Sequence, residues 1–150
     1  MKQGYPELYR SLKKHRVKYL LVGGMAAVLY GSPRLTKDVD ILIEPSLVNA
    51  MRLLKALTGA GFGTAVLTTA KKVLANEITV FNDFIRLDVL TEIKGVSFEN
   101  GWKNKRIRRL GKIPIPVLRL IDLIRAKKAS GRQIDLQDVK ILNRIRKLNH

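Results

Sequence analysis

Two aspartates stand at positions 38 and 40 around Val39, and a third, Asp88, stands alone between Leu87 and Val89. Successive strand side chains point to opposite faces, so Asp-x-Asp in an alternating apolar stretch puts both carboxylates on one side. Carboxylates are hard oxygen ligands suited to Mg2+ or Mn2+. A pair of such ions about 3.5–4 Å apart is what phosphoryl transfer uses to activate the attacking oxygen and neutralise the leaving diphosphate. A third carboxylate from a nearby strand completes such a site, and Asp88 has that setting. The same three residues also suit the solvent side of half-buried strands, and Asp-x-Asp alone is a weak signal.

Its context strengthens it. Gly23-Gly24 closes a short apolar run and opens a helix, offering backbone N–H groups and a positive dipole end to an anion such as a triphosphate. A glycine pair also makes a tight-packing turn. Arg34, Thr36 and Lys37 precede Asp38 in a loop, placed either to touch phosphate or only to be solvated. Lys127 continues a helical row begun by Leu120 and Ile124; its amine either enters the cleft to meet phosphate or snorkels off a core helix. Lys140, Arg144 and Lys147, at i, i+4 and i+7, form a positive stripe that fits an RNA backbone or an ordinary solvated face. His15 and His150 are the only histidines and have no partner pattern, which argues against histidine-based chemistry.

The elements that must position these residues follow from periodicity. A helix is predicted over about Pro6–His15, a strand over Lys18–Val22, a helix over Met25–Tyr30 and a strand over Asp38–Ile43. Ser46 is a candidate N-cap for a helix with Leu47, Met51, Leu54 and Leu57 inward, stopping near Gly59 and Gly61. Residues 66–75 fit no single pattern. Glu77–Phe81 and Phe84–Leu90 read as a hairpin turning at Asn82-Asp83. Arg106–Leu110 and Lys112–Ile115 read as a second, whose Pro114 and Pro116 should confine that strand to a sheet edge. Helices over about 117–129 and 136–148, separated by Ser130-Gly131, end the chain; Asp135 and Asp138 suit the N-cap and first turn of the last one. The expected architecture is α/β: a mixed sheet with flanking helices and a C-terminal helical pair, in a single domain over 1–150 with the α/β core at about 1–116.

The chain has 150 residues and is 46% hydrophobic, enough for one domain to bury a core. It has no cysteine, so disulfides and cysteine-bound zinc are excluded. Residues 1–10 lack an apolar signal core and Tyr19–Tyr30 is too short to span a bilayer, so a cytoplasmic location without membrane association is expected. Twenty-nine Lys and Arg against 12 Asp and Glu give +17, a field that draws polyanions. RNA, tRNA included, is thus a candidate partner. A cationic acceptor would need an acidic pocket that so few acids seldom build.

The segment LVGGMAAVLYGSPRLTKDVDILI, followed by RLDVL, resembles the polymerase-beta-type nucleotidyltransferase superfamily. The resemblance implies that family's α/β sandwich, and transfer of NMP from NTP to an acceptor hydroxyl with Mg2+ or Mn2+. Asp38, Asp40 and Asp88 then ligate the metals, and Gly23, Gly24, Arg34, Thr36 and Lys127 bind the nucleotide. One departure is Gly24, which stands where many members carry serine. The stretch DLIRAKKASGRQIDLQDV resembles the last motif of AbiE-type abortive-infection nucleotidyltransferase toxins, with Lys127, Arg132, Asp135 and Asp138 at the recurring positions. That second likeness keeps a rival open: a catalytically weak nucleotide- or nucleic-acid-binding module with a toxin–antitoxin partner.

Overall fold

A computed structural model describes residues 5–149; His150 and the first four residues lie outside the described part. Helix α1 (Pro6–Lys14) leads into strand β1 (Tyr19–Val22), whose four residues are all buried. Helix α2 (Gly23–Leu29) follows without a linking residue, starting two residues earlier than the apolar pattern suggests. Strand β2 (Asp38–Ile43) and helix α3 (Leu47–Gly59) come next. Ser46 caps α3, its hydroxyl accepting from Asn49 N at 3.2 Å. The inward face of α3 is Asn49, Ala50, Leu53, Ala56 and Leu57, whereas Leu47 and Met51 of the expected stripe are exposed. Asn49 sets this rotation. Its side chain donates to Lys18 O and Glu44 O, both at 2.9 Å, and accepts from Lys18 N at 2.8 Å, which turns that face of the helix toward the strands.

The undecided segment resolves into a 3-10 turn (Gly63–Leu67) and helix α4 (Ala70–Ala75), capped by Thr69. Strands β3 (Ile78–Asn82) and β4 (Arg86–Leu90) form the first hairpin. Asn82 pairs with Arg86, so the loop is Asp83-Phe84-Ile85 rather than a turn at Asn82-Asp83, and Thr64 holds the Asp83 carboxylate there. Helix α5 (Phe98–Lys103) has no counterpart in the sequence reading; it is too short to show a period, though Ser97 caps it. It packs closely: a Cβ on Gly101 would come within 2.9 Å of Leu20 and Leu118.

Strands β5 (Arg106–Leu110) and β6 (Ile113–Val117) form the second hairpin, followed by helices α6 (Leu120–Ser130) and α7 (Gln133–Leu148). The strand order is β3-β4-β2-β1-β6-β5. The proline-bearing strand β6 is therefore interior and β5 is the edge, against expectation. Strand geometry explains the exception. Leu118 N donates to Leu21 O, so Pro116 and Pro114, at two and four residues' remove, also face β1. On that side β6 makes only the pair Leu21↔Val117, while its ladder with β5 runs over five residue pairs. The missing N–H groups fall where little ladder exists to lose them.

Among the described residues no helix is long and apolar enough to cross a membrane. One buried cluster joins α1, α3, the sheet and α6–α7, with Leu12, Leu20, Ile41, Leu53, Leu87 and Leu142 fully enclosed.

Candidate active site

Strands β2 and β4 run parallel with Asp40 opposite Asp88 and Asp38 opposite Arg86. Residues in register share a face, so the three aspartates named from the sequence project together. β1 lies on the other side of β2 with Val22 opposite Asp40, so the next residue, Gly23, arrives beside that carboxylate. Gly23 has φ +69, and a Cβ there would fall on Asp40 Oδ2 and within 2.9 Å of its Cγ. Both the backbone conformation and the space exclude a side chain. Gly24 answers the departure from serine: its absent Cβ would lie 3.1 Å from Arg34 Nη1 and 3.3 Å from Thr36 Oγ1. Arginine and threonine occupy the room beside it.

Asp40 is pushed up to about 6, first by burial and then by the negative charges of Asp88 and Asp38, against a counter-pull from Lys127. Asp88 is held by Arg86, whose Nε donates to Oδ1 at 2.9 Å and Nη2 to Oδ2 at 3.4 Å. Arg86 was not singled out from the sequence; its i, i+2 spacing from Asp88 on one strand, which puts both on the same face, was the available signal. Asp38 is exposed at the mouth. Among the described residues no three carboxylate or imidazole groups already stand as a metal cage. The donor set nonetheless fits a hard divalent cation: acceptor-only oxygens, crowded enough that Asp40 resists ionising, are what a 2+ ion would stabilise.

Across the cleft, α6 and α7 supply a cationic wall. Lys127 is buried at 4% exposure, so its amine does not snorkel; Nζ lies 2.8 Å from Asp138 Oδ2 and 3.5 Å from Asp135 Oδ1. Arg34 Nη1 reaches the same Asp138 oxygen at 2.5 Å. Asp135 accepts from Arg132 Nε at 2.7 Å and from Ser130 Oγ at 2.5 Å. Burial would raise Asp135, but Arg132, Ser130 and Lys127 outweigh it and hold it below the usual carboxylate range. The expected capping role is corrected here: the N-cap of α7 is Arg132, with no side-chain cap bond, and both carboxylates instead fix the cations at the cleft. Gly131 with φ +70 ends α6 and lets α7 turn back beside it.

These groups, with Asp138 buried behind them, line one open cleft of about 550 Å³. It gathers Gly23, Gly24, Arg34, Thr36, Asp38, Asp40, Asp88 and Lys127, the complete set named for metal and nucleotide. Lys140, Arg144 and Lys147 are exposed and lie outside it. Six carboxylates face five cationic side chains there, so the cleft holds half of the chain's 12 acids. The cleft is thus nearly charge-balanced, in a chain whose net charge is +17.

A mixed sheet with two parallel-strand aspartates in register, a glycine turn against them and a helical pair carrying cations defines a nucleotidyltransferase-type fold. A crystal structure of a candidate nucleotidyltransferase from Thermotoga maritima shares it, with TM-score 0.52 and 18% identity over 95% of this chain and 88% of that one. The family model for nucleotidyl transferases of unknown function (DUF2204) matches residues 1–150, and the chain belongs to that family. No curated protein matches it.

Proposed function

We propose that this chain is a metal-dependent nucleotidyltransferase that moves NMP from an NTP to an acceptor hydroxyl. The observation that carries the reading is the pairing of Asp40 with Asp88 across parallel strands, directly beside Gly23 and facing Lys127. Asp38, Asp40 and Asp88 would hold Mg2+ or Mn2+, which when bound activates the acceptor oxygen and neutralises the leaving diphosphate. Lys127 and Arg34 would meet the phosphates with their remaining N–H donors while Asp138 holds both cations in place. The Gly23-Gly24 backbone and Thr36 supply further donors at the floor. The acceptor oxygen bonds to the α-phosphorus as the bond to the diphosphate breaks, and the hydroxyl proton leaves to solvent. Catalysis of this kind is mainly positioning and charge stabilisation.

An RNA end is the acceptor this reading favours, from the +17 charge carried outside the cleft. The likeness to abortive-infection toxins supports a toxin–antitoxin setting. Arg86 on both Asp88 oxygens favours a second reading, in which the pair stays closed and the chain binds nucleotide with little turnover. Calorimetry with each NTP and Mg2+ or Mn2+, followed by labelled-NTP transfer to total RNA, tests both. Absence of metal-dependent NTP binding would sink the enzyme reading, while binding without transfer selects the second.

A further inference from the structure

A second groove, of about 710 Å³, lies on the outside of the molecule, where the start of β5, the start of α6 and the end of α7 meet. Its cations are Arg106, Arg108, Arg119, Arg146 and Lys147, and among the described residues no carboxylate side chain lines it. Asp122 neutralises Arg119 at 2.7 Å. The other four make no ion pair with a described residue. Two are held in place by neutral partners: the Arg108 guanidinium lies 4.7 Å from the Tyr30 ring centroid, and Arg106 Nη1 donates to Asn104 O at 2.8 Å. Their charge is therefore positioned and uncompensated. Ile107 and Ile121, 52% and 39% exposed, add apolar surface to the groove beside these cations.

The groove has a fixed relation to the cleft. Arg106 stands opposite Val117, Val117 opposite Leu21, and Leu21 opposite Ile41, the neighbour of Asp40. Three strand spacings of about 4.8 Å separate them, roughly 14 Å along the same end of the sheet, with Arg106 and Arg108 on the Ile41 face and Asp40 on the other, so a path between the two sites passes round that end. Helix α7 also links the two sites. Asp135 lines the cleft and Lys147 the groove, and twelve residues at about 1.5 Å each put them roughly 18 Å apart along it. Lys140, Arg144 and Lys147 are exposed along that span. Acids concentrate in the cleft and cations along the path away from it, a segregation that uniform solvation would not produce.

We propose that the groove and the α7 stripe hold a single strand of RNA whose end passes round the end of the sheet into the cleft. This rests on the nucleotidyl-transfer reading for the meaning of the end, but not for the binding itself. A single strand is favoured because it presents unstacked bases to Ile107 and Ile121 and to guanidinium planes, which a duplex does not. The test is fluorescence anisotropy of a short labelled single-stranded RNA with the full chain across a salt series, beside calorimetry of Mg2+–NTP. The double variant R146E/K147E, on the exposed end of α7, should bind the RNA about tenfold or more weakly, with a salt slope smaller by about 2. Its melting temperature and NTP affinity should be unchanged. R106E/R108E should behave likewise, and if it unfolds, the α7 variant decides. Wild-type RNA affinity in R146E/K147E would overturn the proposal. So would equal affinity for duplex RNA or heparin, which would reduce the groove to a general polyanion surface. Loss of NTP binding in the wild type would instead remove the Proposed function and leave the RNA result standing.

Discussion

Gly23 lies so tightly against Asp40 that a methyl group on residue 23 would take the place of the Asp40 carboxylate oxygen. Gly23→Ala would combine a left-handed backbone strain with that overlap, and we expect a loss of at least about 2 kcal/mol in stability together with NTP binding. Gly131→Ala is the control, because Gly131 has φ +70 with nothing within 4 Å of its absent Cβ. It should lose about 1 kcal/mol and keep NTP binding. Denaturant unfolding of both variants separates the two effects, and equal losses would show that the contact with Asp40 is soft.

Asp40 gives the metal-free protein a pH dependence opposite in sign to that of Asp135. The folded value of Asp40, about 6, lies above the ordinary 3.8, so ionisation opposes folding. The penalty is absent below about pH 4, grows as pH rises through 4 to 6, and is full above 6. Asp40→Asn should therefore be more stable than wild type at pH 8, by about 1 kcal/mol after screening in an open cleft, and equal to it at pH 4. Thermal melts in chelator at both pH values check this. Added Mg2+ with NTP should raise the wild-type melting temperature and not the variant's.

Arg86 competes with any cation for Asp88. Pairs as exposed as this contribute about 0–1 kcal/mol, so removing the guanidinium should cost little stability. Arg86→Ala should instead raise Mn2+ affinity, by up to about fivefold for 1 kcal/mol of released competition. Titration followed by Mn2+ electron paramagnetic resonance measures it, and Asp88→Asn measured beside it should lose most of the Mn2+ binding; wild-type affinity in Asp88→Asn would mean that Asp88 is not a ligand.

Asp138 is the counter-ion on which Lys127 and Arg34 converge. Asp138→Asn leaves the buried Lys127 amine with only Asp135, 3.5 Å away, and should cost about 3 kcal/mol. Lys127→Met removes the buried amine while Asp138 keeps Arg34, so it should cost less yet weaken NTP binding more. Unfolding and calorimetry on both variants distinguish a structural lysine from one that meets phosphate. Full NTP affinity in Lys127→Met would place it in the first group.

Local periodicity made much of this protein legible. Alternation around Val39 and Ile41 fixed the face of Asp38 and Asp40, the same rule fixed Asp88, and the break at Gly23-Gly24 marked where a helix had to start. Such rules say which way a side chain points along its own element and nothing about what stands opposite. The inward face of α3 was misread because Asn49, a polar residue, is buried for its bonds to Lys18 and Glu44, which no hydrophobic pattern records. β6 seemed an edge because proline lacks a donor, but whether that lack matters depends on which neighbour the missing N–H would have faced. The Arg34–Asp138 pair joins residues 104 apart in the chain, and only the packing of α6 and α7 against α2 makes it exist. The candidate residues for chemistry were thus set by sequence, while their partners were set by long-range pairing, because contact energy belongs to pairs of surfaces and periodicity belongs to one.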